Sequence, residues 1–118
     1  MPTNTFLEPT PFQAPRLLPS GNIHLWWWQS PAAPSSDWEA WLSPAEQQAL
    51  LGWRTPARRQ EYLAGHAFLR WVLAQYLNCC PAAVPLSFPQ GAGPRLPAPW
   101  RCSLTHSYGH FACAVGQV

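Results

Sequence analysis

Pro-rich stretches that forbid regular structure alternate along this chain with short apolar runs whose spacing implies an element. Residues 1–20 carry Pro at positions 2, 9, 11, 15 and 19, which predicts an arm without regular elements, flexible or draped on the surface. Ile23-His24-Leu25-Trp26-Trp27-Trp28 is a β-branched and aromatic run of strand length. Alternation sends Trp26 and Trp28 to one face and Trp27 to the other, a core or interface role rather than base stacking. Residues 30–36 (SPAAPSS) form a loop. Ser43-Pro44-Ala45-Glu46 is a capping box with Pro at the first helical position, opening a short helix that ends near Gly52. Thr55-Pro56 repeats the device. From there Tyr62, Gly65, Leu69, Val72, Leu73 and Tyr76 recur at threes and fours, predicting a helix from Pro56 to Leu77 that stops at Asn78. Gly65 in that stripe implies close packing that offsets its helix cost of about 1 kcal/mol.

Further on, Leu86-Ser87-Phe88 and a Gly/Pro turn over residues 90–94 precede two apolar stretches, Trp100 to Thr105 and Phe111 to Val115. Ser107-Tyr108-Gly109-His110 joins them, so a hairpin is predicted. The fold class is α+β: a small antiparallel sheet packed with one long and one short helix, over residues 21–118.

Composition narrows the function. Charged residues make up 10% of the 118, against roughly 25% in an average soluble domain. With so little charge to cover the surface, an apolar face meant for a partner is expected. The net charge of +2 comes from Arg alone, without any Lys, and only Arg54, Arg58 and Arg59 cluster. That is no basic stripe, which argues against nucleic acid and leaves open a small anion gripped by Arg. The four Cys read as reduced thiols of a cytoplasmic protein, since no secretory signal precedes them. The Cys79-Cys80 pair reads as buried small apolar residues. No apolar run reaches the roughly 18 residues of a membrane span.

Three segments together resemble the Sfp-type 4'-phosphopantetheinyl transferase family. They are Leu42-Ser43-Pro44-Ala45-Glu46 with Gly65-His66-Ala67-Phe68-Leu69-Arg70, then Gly93-Pro94-Arg95-Leu96, then Leu104-Thr105-His106-Ser107 with Phe111-Ala112-Cys113-Ala114-Val115. The resemblance covers residues 21–118 and only the N-terminal half of a two-fold pseudo-symmetric fold. It implies transfer of the phosphopantetheine arm of coenzyme A (CoA) to a serine of an acyl or peptidyl carrier protein. It also implies that His106 touches the CoA pyrophosphate, helped by Thr105 and Ser107. Arg70, Arg59, Arg95 and Gly93 are the further CoA-contact candidates. Where relatives carry basic residues this chain has Glu46 and Ala49, and His66 replaces a frequent Arg. Mg²⁺ is expected from the family, with ligands beyond Val118 and no catalytic residue here. The five acids are Glu8, Asp37, Glu39, Glu46 and Glu61, none in the hairpin, so these residues alone are expected to lack transferase activity. A homodimer or a complementing C-terminal half is the expected partner.

Two alternatives stand beside this reading. One is a non-catalytic module that self-associates or binds a partner through the sheet. The other is a small zinc domain using Cys102, His106, His110 and Cys113, although strand alternation would scatter those side chains over two faces.

Overall fold

The computed structural model describes residues 16–17, 23–30 and 37–117. They fall into two compact units, one drawn from Met1–Gln29 and Pro85–Val118, the other from Ser30–Val84. Sheet in the first and helices in the second make the class α+β, as expected. Among the described residues no helix is long and apolar enough to cross a membrane.

Among the described residues the sheet unit holds four antiparallel strands: β1 (Arg16–Leu17), β2 (His24–Gln29), β3 (Trp100–Ser107) and β4 (His110–Gln117). Their order is β1-β2-β4-β3, so β3 is an edge. The β3–β4 hairpin closes over Tyr108 (φ 51°) and Gly109 (φ 77°). Positive φ at both central residues is the turn that matches the right-handed twist of paired strands. Pairing of Trp26 with Cys113 and Trp28 with Phe111 puts those four side chains on one face, and Trp27 on the other. Trp28, Phe111, Cys113 and Val115 are buried there, with the Trp28 and Phe111 rings 5.7 Å apart.

One expectation needs correction here. The Pro-rich arm contributes the short edge strand β1, because residues 16–18 lie between Pro15 and Pro19 and an edge tolerates flanking prolines. The remainder of the arm, and residues 31–36 of the expected loop, lie outside the described residues. Ahead of the Gly/Pro turn, Leu86-Ser87-Phe88 contributes an isolated bridge, Ser87 to Arg95. Pro85 and Pro89 deny it the donors a longer ladder requires.

The helical unit follows its caps. Helix α1 (Trp38–Trp41), which the sequence pattern did not predict, is a single turn around a buried Trp38. Helix α2 (Pro44–Gly52) begins at Ser43, whose Oγ accepts from the Glu46 N–H at 3.2 Å while Glu46 Oε1 accepts from the Ser43 N–H at 2.9 Å. Such a cap contributes about 1 kcal/mol. Helix α3 (Pro56–Leu77) starts at Thr55, accepting from the Arg58 N–H, and ends on Asn78 in the left-handed region. Asn tolerates that conformation because its short polar side chain bonds locally. The buried surface of α3 is wider than the predicted stripe and adds Ala64, Ala67, Phe68, Arg70 and Ala74. A short 3-10 turn over Pro81–Ala83 follows.

Candidate functional site

The residues expected to grip an anion sit on β3, and the pleat separates them. His106 pairs with Phe111 and shares its face with Cys102 and Leu104, whereas Thr105 and Ser107 point to the opposite face with Arg101 and Ser103. The expected single cluster is therefore divided. The strand runs on through Ser107 instead of stopping at Thr105, so alternation continues where a loop was expected. His106 is exposed near the hairpin end, its ring tilted 33° against Phe111 at 5.5 Å.

Gly93 and Arg95 do come together. With Pro94, Pro99, Trp100 and Arg101 they line a cleft of about 580 Å³ in the sheet unit. The Arg95 backbone is pinned by paired hydrogen bonds with Ser87, at 2.8 and 3.0 Å, which leaves its exposed side chain to face solvent. Arg101 is a second cation on that cleft which the residue pattern did not single out. Period-two counting back from Thr105 and Ser107 would have placed it on their face.

Arg59 and Arg70 belong to the helical unit. Arg59 is exposed, and its Nε donates to the Trp53 carbonyl at 2.8 Å. Arg70 is the clearest correction: it is 1% exposed and its guanidinium is turned inward onto other parts of the helical unit. Its Nε donates to Glu46 Oε1 at 2.8 Å, and Nη1 donates to the carbonyls of Pro81 and Val84 at 3.0 and 3.1 Å. A guanidinium buried on three oxygens, one from α2 and two from the Pro81–Val84 turn, is not presented to a phosphate. Glu46 is likewise no lost phosphate contact but the internal partner of Arg70. Its second oxygen, Oε2, lies 2.7 Å from His66 Nδ1, and Tyr62 stacks on that imidazole at 3.9 Å. Burial alone would push the Glu46 carboxyl up, but the bonds from His66, Arg70 and Ser43 outweigh it and hold the group at about 2. Burial, with the Glu46 charge second, pushes the Tyr62 phenol up to about 12. His66 and Arg70 stand four apart on α3, so one face of that helix presents both to Glu46.

Nucleophile and metal chemistry find little support. All four cysteines are unbridged. Burial pushes the Cys102 thiol up to about 11 and raises Cys113 further, Cys102 adding to the effect. Neither is a thiolate near neutral pH, which is the reactive form. Cys80 is exposed and Cys79 half-buried, not the buried pair expected, because the Asn78 turn carries them off the helix. The zinc alternative loses its geometry: Cys102, His106 and Cys113 share a face, while His110 pairs with Ser107 on the other. Among the described residues no group of three or more His, Cys, Asp or Glu side chains is placed to hold a metal. The described residues likewise bring no carboxylate cluster together for Mg²⁺, which needs carboxylate oxygens in octahedral array.

Comparison with known proteins gives one match. The family model described as 4'-phosphopantetheinyl transferase N-terminal domain matches residues 46–116. No curated protein and no solved structure matches the chain.

Proposed function

We infer the function from the premise that this chain belongs to the family of 4'-phosphopantetheinyl transferase N-terminal domains. We propose that it is the CoA-binding half of such an enzyme, which moves the phosphopantetheine arm of CoA onto a serine of an acyl or peptidyl carrier protein. The observation that carries the reading is the match over residues 46–116, which runs from Glu46 within α2 through α3 and into the His106 hairpin as far as Gly116.

The chain's own residues bind and orient in this reading. His106 donates to the pyrophosphate through an exposed imidazole N–H. Because β3 is an edge, a ligand lying along it meets side chains of both faces, so Thr105 and Ser107 can add hydroxyls from the far side. Arg95, with Gly93 allowing close approach, offers a guanidinium to a phosphate at the cleft, and exposed Arg59 is a further candidate. Arg70 has no part in the grip; it holds the fold. The divalent cation and its carboxylates come from a complementing C-terminal half or from another copy of the family fold. A cytoplasmic location belongs to the same proposal and is supported by four unbridged cysteines.

Calorimetric titration with CoA tests it. His106→Ala is expected to weaken binding about ten-fold, the size of one hydrogen bond to a charged group. Equal affinity of the variant and the parent would remove His106 from the site. In the same preparation, with Mg²⁺ and an apo carrier protein added, no transfer is expected. Mass-spectrometric detection of a phosphopantetheinylated carrier would refute the requirement for outside carboxylates.

A further inference from the structure

The turn that leaves α3 carries a pair of thiols to which the CoA reading gives no role. Cys79 and Cys80 follow Asn78, whose left-handed backbone ends the helix. Cys79 is half-buried, Cys80 is exposed, and neither is bridged. Their backbone is fixed on both sides. The Cys79 N–H donates to the Ala74 carbonyl at 3.3 Å, and the Cys80 carbonyl accepts from the Ala83 N–H at 2.9 Å. Beyond them Arg70 anchors the segment, its Nη1 donating to the Pro81 and Val84 carbonyls. With the backbone held, each sulfur still swings on a single rotor. The two side chains are close enough for the charge of one to act on the other.

Adjacency decides what such a pair can do. The Cα atoms of neighbouring residues lie about 3.8 Å apart, below the roughly 4.4–6.8 Å of an unstrained disulfide. Closing a bridge here costs strain, which favours the dithiol. An ion held between the sulfurs lengthens the span and relieves that strain. The ligand count then selects the ion. Zn²⁺ takes four ligands, and among the described residues no group of three or more His, Cys, Asp or Glu side chains is placed to hold a metal. Hard cations take oxygen. A soft monovalent ion is satisfied by two sulfurs. We propose that Cys79 and Cys80 form a two-coordinate site for a soft monovalent cation of the copper(I) class. Each sulfur bonds the ion and releases its proton to solvent, so one ion enters, two protons leave and no electron is transferred. The cysteines of the sheet are poorer rivals, because Cys113 is closed to solvent. Both ligands belong to the helical unit, on residues apart from those assigned to CoA.

The test is a competition. The full chain, reduced and kept free of air, is titrated into copper(I) bicinchoninate, whose colour fades as copper is withdrawn. The parent is expected to take up one copper per chain. Cys79→Ser and Cys80→Ser are each expected to hold it at least about a hundred-fold more weakly, the upper end of what losing an outer-shell partner costs. Cys80 is exposed, so its replacement tests the site without disturbing packing. Cys102→Ser is expected to bind as the parent does. X-ray absorption at the copper edge is expected to show two sulfur neighbours. No uptake by the parent, or undiminished uptake by either of the first two variants, overturns the proposal. Loss of uptake in Cys102→Ser does so as well, by moving the ion to the sheet. One copper shared between two chains, read as a doubled mass, also overturns it.

Discussion

Replacing Arg70 by Met destabilises the protein by about 3–5 kcal/mol, the cost of leaving one member of a buried ion pair without its partner. The size follows from what is stranded. Both members of the Arg70–Glu46 pair are 1% exposed, so water cannot replace the lost guanidinium. The carbonyls of Pro81 and Val84 lose their donor at the same time. The double variant Glu46→Gln, Arg70→Met is expected to recover part of the loss, since no buried carboxylate then remains uncompensated. Urea unfolding followed by circular dichroism reads both. A single-variant loss below about 1 kcal/mol, the range of exposed pairs, would mean that the guanidinium does not hold the unit together.

Acidification is expected to show the same network from the carboxylate side. Glu46 sits at about 2 when folded against an ordinary 4.5. A pKa depressed by folding means that the folded form binds the proton more weakly than the unfolded chain. The stabilisation is therefore complete above pH 4.5 and is lost as pH falls toward 2. The gap corresponds to roughly 3 kcal/mol. Urea midpoints measured from neutral pH into this window are expected to fall, and Glu46→Gln, though less stable at neutral pH, is expected to give a shallower acid limb. An acid limb as steep in Glu46→Gln as in the parent would assign the pH dependence to other carboxylates.

Much of the architecture was legible where a residue has one conformational use. Ser43-Pro44 and Thr55-Pro56 mark helix starts because a hydroxyl caps and Pro cannot sit deeper in a helix, and α2 and α3 begin at Pro44 and Pro56. Tyr108-Gly109 marked the hairpin turn in the same way. Helix α1 was not legible: Asp37 makes no side-chain cap, and the single turn rests on burying Trp38, a tertiary effect. The site was harder to read than the fold. Arg70 looks in sequence like any helical Arg. Its inward turn depends on Glu46, twenty-four positions upstream, and no local spacing records that. His106 failed to join Thr105 and Ser107 because the strand outran its expected end, and one extra pleat decides which face a side chain occupies.

The pairing of β2 with β4 sets an order on biosynthesis. The β3–β4 hairpin closes over two residues, so little chain entropy opposes it once both strands exist. By contrast β2, carrying Trp26, Trp27 and Trp28, aligns His24 with Val115 near the opposite end of the sequence. It leaves the ribosome well before its partner has been translated. Three consecutive indoles thus wait without their β4 neighbour while the intervening helices and β3 are made, an interval in which a chaperone's shelter matters most.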